Sequence, residues 1–193
     1  MNDSSDKAFP ASTAFHRPDR RRFLAGLAGA LCAPGLFTPS LARAREMPRR
    51  LAFLHTHTGE KLSIVYAENG SYVPEALTAI NHLLRDFRTG EIHAIDLALL
   101  DQLTDLTAIL GANRTYEVIC GYRCPATNAM LRENGHGVAK ASLHMSGRAI
   151  DVRLPGVALT MLRDAALSMS AGGVGYYSQS DFVHLDTGRV RRW

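Results

Sequence analysis

Three polar side chains in the second half of the chain are of types that bind transition metals. His144 and Asp151 lie seven positions apart in SLHMSGRAIDV, and His184 lies in SDFVHLDTG. Two imidazoles and one carboxylate suit a catalytic zinc ion, because the fourth position stays open for water. Such an ion lowers the pKa of the water from about 16 toward 7, so that hydroxide can attack an amide carbonyl at neutral pH.

The spacing of His144 and Asp151 requires a turn between them. In one extended strand, seven rises of about 3.3 Å would separate their Cα atoms by about 23 Å, and the odd spacing would place the side chains on opposite faces. Ser146 and Gly147 interrupt the strand pattern and can turn both side chains toward one point. Without that turn, His144 is a loop histidine and Asp151 a strand-end carboxylate, and the residues alone leave this alternative open.

Hydrolysis at such a site also needs a carboxylate that accepts the proton of the water and passes it to the leaving amine. Asp181 precedes His184 by three positions, and Asp186 follows it by two. Strand alternation places Asp186 on the same face as His184, where it can act as the base or orient the histidine as a hydrogen-bond acceptor. We favour Asp181 as the base, with Asp186 as the alternative.

The hydrophobic pattern predicts the elements that position these residues. Strands are predicted as a pair after residue 50, joined by a turn at Thr58 and Gly59, and then at 115–123, 149–154 and 181–186. Helices are predicted at 75–87, 96–109, 126–132 and 156–169. This order of elements predicts an α+β domain, in which helices pack on a small antiparallel sheet that carries the late strands.

The positive charge of the chain is concentrated near its beginning. Of 22 basic and 18 acidic side chains, six and three lie in residues 1–44, so the remainder has a net charge of only +1. Hydrophobic residues make up 46% of the chain and charged residues 21%, as in an ordinary globular protein. The composition predicts one folded domain and argues against a nucleic-acid partner.

Residues 1–44 resemble a twin-arginine export signal. The sequence DRRRFL at 19–24 contains an arginine pair followed by Phe and Leu, and 42–44 form a small-x-small cleavage site. The Gly- and Ala-rich stretch between them contains two prolines and is too weakly apolar for a stable membrane span. We predict cleavage of this signal and a periplasmic or cell-envelope location. A linker at 45–50 and one domain at 51–193 would follow, with no stable membrane span.

Other residues have less specific interpretations. Cys120 and Cys124 remain after cleavage, and their spacing permits either a disulfide in an oxidising compartment or two free thiols. His55 and His57 share a strand face, and we favour a structural role for them over a second metal pair. His136 lies in a glycine-flanked loop and is a candidate for the entrance of the cleft.

Several ordered motifs are similar to those of zinc peptidoglycan peptidases, a group that includes D-alanyl-D-alanine carboxypeptidases and dipeptidases. SGRAID after His144, FVHLDTG and the upstream GYRCPATNAML carry this resemblance. The likeness is greatest to the MepK-like, or YcbK-like, murein endopeptidases, through HTGE at 57–60 and RTGE at 88–91. It extends from about residue 51 to Trp193 and implies the zinc fold of hedgehog-type and D-Ala-D-Ala peptidases.

The resemblance also implies roles for individual residues. It assigns three ligands to one Zn2+ ion: His144, Asp151 and His184. Asp181 occupies the position of the general base. Arg123 in GYRCP matches an arginine that orients substrate and stabilises negative charge on the scissile carbonyl oxygen, although a structural salt bridge is the alternative role for it. Cys124 stands where the family pattern has serine.

The activity implied is that of an exported zinc metallopeptidase acting on peptidoglycan stem peptides. The bonds implied are D-Ala to meso-diaminopimelate and the direct diaminopimelate-diaminopimelate crosslink. The competing enzyme is a carboxypeptidase that removes D-alanine from uncrosslinked stems. The competing hypothesis outside catalysis is a peptidoglycan-binding module that keeps the fold.

Overall fold

The computed structural model of the protein describes residues 47–111, 114–134 and 138–193. The proposed export signal at 1–44 and His136 lie outside the described residues. Within them, no helix has the length and apolar character needed to cross a membrane.

Four helices and eight strands make up the described chain. The strands are β1 (Arg49–His55), β2 (Lys61–Glu68), β3 (Ser71–Tyr72), β4 (Tyr116–Cys120), β5 (Ala149–Arg153), β6 (Gly173–Tyr177), β7 (Phe182–Asp186) and β8 (Arg191–Arg192). The helices are α1 (Pro74–Leu83), α2 (Leu97–Ile109), α3 (Pro125–Glu133) and α4 (Leu159–Met169), with a 3-10 turn at Leu143–Ser146. All four predicted helices are confirmed, and Asp96 caps α2 by accepting a hydrogen bond from the amide of Ala98.

The strands form one sheet in the order β3-β2-β1-β4-β5-β7-β6-β8. The prediction of an α+β fold is confirmed, but that of a small antiparallel sheet is wrong. The sheet has eight strands, and β1 pairs with β4, and β6 with β8, in parallel. Parallel neighbours need a crossover connection. The segment containing α1 and α2 supplies one between the early strands and β4, so the early hairpin joins the same sheet as the late strands.

β6 is not among the predicted strands, because its sequence, GVGYY, is rich in glycine. The glycines instead allow close approach within a strand. A Cβ atom on Gly175 would lie 2.7 Å from the Trp193 ring, and one on Gly173 would lie 2.4 Å from the Asp186 carboxylate. These glycines therefore leave room beside β6 for the Trp193 ring and the Asp186 carboxylate.

The two faces of the sheet have different roles. Along β5 and β7, Ile150, Val152 and Leu185 are fully buried in the apolar core. α1 packs on β2, α2 on β1, and α4 on β6 and β7. The alternate residues of the same two strands, Asp151 and His184, face the other side. The core thus holds β5 and β7 in the register that brings these polar side chains together.

A buried carboxylate connects the loop after α1 to the beginning of α3. Asp86 accepts hydrogen bonds from the backbone N–H of Arg88 at 3.0 Å and of Cys124 at 2.9 Å. Burial alone would raise the pKa of Asp86, but hydrogen bonds, including one from Thr127, outweigh it and hold the pKa below its ordinary value. This contact fixes the segment that carries Arg123.

Replacing Asp86 with Asn should lower the free energy of unfolding by about 1–3 kcal/mol at pH 7, because buried N–H donors lose a charged acceptor. A carboxylate with a lowered pKa stabilises the fold above its unfolded value of about 3.9, and this contribution is lost as the pH falls through the folded value. Urea unfolding at several pH values should therefore show a difference from the wild type that shrinks in acid.

The exposed carboxylate of Asp164 on α4 provides the control, since Asp164→Asn should change stability little. A difference for Asp86→Asn that is equally large at pH 7 and in acid would contradict the assignment.

Candidate metal centre

The 3-10 turn at Leu143–Ser146 places His144 over the end of the sheet. Gly147 ends the turn with φ +65°, and a Cβ atom there would lie 2.2 Å from the carbonyl oxygen of Ala94. Only glycine fits this left-handed position and close approach. The chain then reverses into β5, so the turn required by the spacing of His144 and Asp151 is present.

Strand pairing brings the other two residues together. Asp151 on β5 lies directly opposite His184 on the antiparallel strand β7. Side chains at such opposed positions share a face, and their Cβ atoms are about 5 Å apart. All three predicted ligands are therefore adjacent, and each is at least 91% buried.

Three potential ligand atoms converge on one point. His184 Nδ1 lies 2.8 Å from Asp151 Oδ1, His144 Nε2 lies 3.2 Å from His184 Nδ1, and His144 Nε2 lies 3.3 Å from Asp151 Oδ1. Nitrogen and oxygen ligands at about 2.0–2.1 Å from a tetrahedral zinc ion are about 3.3 Å from each other. The donor types and their separations both fit one zinc ion.

The other nitrogen of each histidine has an acceptor. His144 Nδ1 donates to the carbonyl oxygen of Gly121 at 2.7 Å, and His184 Nε2 donates to Asp186 Oδ2 at 3.1 Å. These bonds leave the lone pairs of the remaining nitrogens directed at Asp151. Three acceptors that face one another at such distances repel unless a cation or a proton lies between them.

The pKa values of His144 and Asp151 also favour a positive charge within the cluster. Burial alone would lower the pKa of His144, but the facing Asp151 carboxylate outweighs burial and holds it well above the ordinary value. Burial would likewise raise the pKa of Asp151, yet the two histidines hold it below its ordinary range. The cluster is thus built to surround a positive charge.

Asp186 is fully buried and its carboxylate is saturated with donors. It accepts the backbone N–H of Gly173 at 3.1 Å and of Gly188 at 2.8 Å, two bonds from Arg191 at 3.0 and 2.7 Å, and the bond from His184. Burial would raise the pKa of Asp186, but hydrogen bonds from His184 and Arg191 hold it below its ordinary range. This environment favours orientation of His184 over proton transfer.

Asp181 lies in a different environment just before β7. Its backbone has φ +53° and its side chain is 63% exposed. The carboxylate pairs with Arg153 at 3.1 Å, and among the described residues it makes no hydrogen bond to either histidine of the cluster. Its neighbours Ser180 and Phe182 both line the cleft beside the metal centre.

Arg123 is buried next to the cluster. Its backbone N–H donates to the carbonyl of His144, and one terminal nitrogen donates to Ser142 Oγ at 3.3 Å. Its Nε has no hydrogen-bond partner, and no carboxylate among the described residues lies within salt-bridge distance of it. The alternative of a structural salt bridge is therefore unsupported, and the side chain is available to a ligand in the cleft.

The cleft over these residues has a volume of about 710 Å³. On the β1 side, His57 stacks on Phe87 with ring centroids 4.1 Å apart, and Arg88 lies 4.2 Å from the centre of the same ring. On the β6 side, Trp193 donates to the hydroxyl of Tyr177 at 2.8 Å. The cluster of His144, Asp151 and His184 lies on strands between these two walls of the cleft.

Comparison with known sequences identifies the family. The family described as "Peptidoglycan L,D-endopeptidase MepK" matches residues 43–193, which include every residue of the cluster. The chain belongs to this family. The MepK L,D-endopeptidase of Escherichia coli K12 is 44% identical over 176 residues, which are 91% of this chain and 97% of that protein. A probable MepK of Haemophilus influenzae is 44% identical over 147 residues, 76% of this chain and 79% of that protein. No solved structure gives a significant match.

Sequence reasoning missed three cleft residues of this MepK-family chain. Nothing in the local sequence marks Trp193 as a cleft residue, yet its ring centroid lies 5.2 Å from that of His184. Phe87 ends a predicted helix, whereas in the structure it lies beyond α1 and forms the β1-side wall. Of the two states that the sequence permits for Cys120 and Cys124, a disulfide or free thiols, the structure has free thiols, and the sequence does not place Cys120 in the cleft. The sequence signal for this position of Trp193 is the close spacing of the β6 glycines, because Gly175 leaves room for the indole ring.

Asp186→Asn should weaken zinc binding by about 10–100-fold, because an acceptor that orients a ligating histidine is weakened. Competition with a chromophoric chelator measures the affinity, and circular dichroism checks the fold. Asp181→Asn is the matched control, since Asp181 does not contact the cluster, and its zinc affinity should equal that of the wild type. Unchanged affinity in Asp186→Asn would overturn the orienting role.

Proposed function

We propose that this chain is an exported zinc peptidase that cleaves peptide crosslinks of peptidoglycan, at D-Ala-diaminopimelate bonds, diaminopimelate-diaminopimelate bonds or both. The convergence of three lone pairs from His144, Asp151 and His184 beside the unpartnered Arg123 carries the proposal. The names of the matched relatives, which are peptidoglycan L,D-endopeptidases, support the same substrate class.

His144 Nε2, Asp151 Oδ1 and His184 Nδ1 would hold one zinc ion. The ion would supply a Lewis acid and a water of lowered pKa. Gly121 and Asp186 keep the two imidazoles in the tautomers that expose the ligating lone pairs. The fold, with its ligands on β5, β7 and the turn before β5, is consistent with the hedgehog-type and D-Ala-D-Ala peptidase fold that the sequence predicted.

Arg123 would hold the scissile carbonyl. Its guanidinium carries a fixed positive charge and several N–H donors, and it lies in a buried wall where such interactions are strong. As negative charge develops on the carbonyl oxygen, the unpartnered Nε–H can donate to it without breaking an existing bond. The interaction therefore strengthens as the transition state forms.

Asp181 is the proposed general base. It is exposed, lies three residues before His184, and stands between two residues that line the cleft. For proton transfer the carboxylate leaves Arg153, accepts the proton of the attacking water, and delivers it to the leaving amine. Asp186 is the alternative, but its carboxylate already accepts five hydrogen bonds.

The extent of the cleft favours a crosslink over a chain end as substrate. Its walls extend from His57 after β1 to the Trp193 ring, which lies against Gly175 of β6, a span of about four strand spacings, or about 19 Å. Both walls flank the metal centre, so peptide can be held on each side of the scissile bond. A twin-arginine signal at residues 1–44 and a periplasmic location fit a substrate outside the cytoplasm.

Purified mature protein should contain one zinc ion and convert crosslinked muropeptide dimers into monomers, as followed by mass spectrometry. A chelator should abolish the activity, and His184→Ala should lower it by about 1,000-fold or more, since several kcal/mol of transition-state stabilisation are lost. His82→Ala, at an exposed histidine of α1, is the control and should retain activity. Loss of terminal alanine alone would indicate a carboxypeptidase, and binding to sacculi without zinc or product would indicate a binding module.

Asp181→Asn should keep its zinc and lose about 100- to 10,000-fold in kcat, because proton transfer to and from the side chain is blocked. Asp164→Asn, which removes another exposed and arginine-paired carboxylate, is the matched control. Near-normal turnover by Asp181→Asn would exclude it as the base.

A further inference from the structure

Cys120 lies beside the metal centre because of an irregularity in strand pairing. Val118 pairs with Val152, whereas Cys120 pairs with the preceding residue of β5, Asp151. Between these two pairs, β4 extends by two residues and β5 by only one, so β4 contains a bulge. In a regular ladder Cys120 would share the core face with Val118, and a bulge of this kind turns a side chain to the other face.

The turned side chain approaches the ligand atoms. Cys120 Sγ, a ring nitrogen of His144 and a carboxylate oxygen of Asp151 all lie within 4.8 Å of one another. Cys120 is half-buried and lines the cleft. Its hydrogen bond to the carbonyl of Gly121 is a weak contact of 3.6 Å, so this bond does little to hold the thiol away from the metal position.

Two triads share His144 and Asp151, with either His184 or Cys120 as the third member. The distances favour His184, since its Nδ1 lies 2.8 and 3.2 Å from the other two ligand atoms. Cys120 is then left at the side of a three-ligand centre with one position to fill. Thiolate is among the strongest protein ligands of zinc, and four protein ligands close a zinc site to water.

We propose that Cys120 is a fourth protein ligand in the resting enzyme and keeps the metal centre latent until substrate displaces it. This inference rests on the metal site of the proposed function. Ligation transfers the thiol proton to solvent and donates a sulfur electron pair to the metal, and displacement reverses both events, so no oxidant or reductant is needed.

A second feature of the cleft fits a negatively charged ligand here. Arg123 is 91% buried with its Nε unpartnered among the described residues, and it lines the same cleft as Cys120. A Cys120 thiolate together with the Asp151 carboxylate balances the charge of a Zn2+ ion. The resting centre then has no net charge and lies next to the Arg123 guanidinium, which is available to bind substrate.

Cobalt substitution tests the ligation directly. Co2+ bound to the purified mature protein should show an intense thiolate-to-metal charge-transfer band in the near ultraviolet. The band should disappear in Cys120→Ser and persist in Cys124→Ser. Cys124 is a matched control because it is a buried thiol that caps α3, where serine is also a good cap.

Affinity and activity give a second measurement. Cys120→Ser should bind zinc at least about tenfold more weakly and, at saturating zinc, should cleave crosslinks faster than the wild type. A wild-type protein that binds Co2+ in a 1:1 ratio without a charge-transfer band would overturn the inference while leaving the proposed function intact. A wild-type protein that binds no metal would overturn both.

Discussion

The site depends on the repulsion among three acceptor atoms held within 3.3 Å of one another. A folded chain keeps such an arrangement only where the surrounding structure imposes it and a positive charge relieves it. Here Gly121 and Asp186 hold the imidazoles, and the core beneath β5 and β7 holds the strands. The stability of the fold thus supports an arrangement that is unfavourable unless a positive charge lies within it.

Glycines allow this arrangement to be compact. Gly147 lets the turn containing His144 lie against the carbonyl of Ala94, while Gly173 gives the Asp186 carboxylate room between β6 and β7. A Cβ atom at Gly173 would collide with the carboxylate that accepts from His184, and one at Gly147 would collide with the carbonyl of Ala94 and displace the turn that contains His144. The backbone near the metal centre is therefore constrained by the site as much as by the sheet.

Local patterns predicted the helices, the pairing of the late strands and the turn that joins His144 to Asp151, since these depend on periodicity or on single turn residues. These local patterns did not predict the features that depend on pairing between strands distant in sequence. The parallel contact of β1 with β4 has no local signature, and the glycine-rich β6 lacks the side chains that mark a strand. The same limit applies to Cys120, because the bulge that turns it arises from the match between two strands distant in sequence.

Asp181 and Asp186 show why residue type and spacing cannot assign a proton carrier. Both are aspartates within three positions of His184. Five donors and full burial make a proton on Asp186 costly, since protonation would forfeit charge-assisted hydrogen bonds. Asp181 has one exposed partner, Arg153, in an ion pair that contributes little and can be exchanged for substrate or water. Environment, rather than distance along the chain, separates a carboxylate that orients a ligand from one that can take up and release a proton.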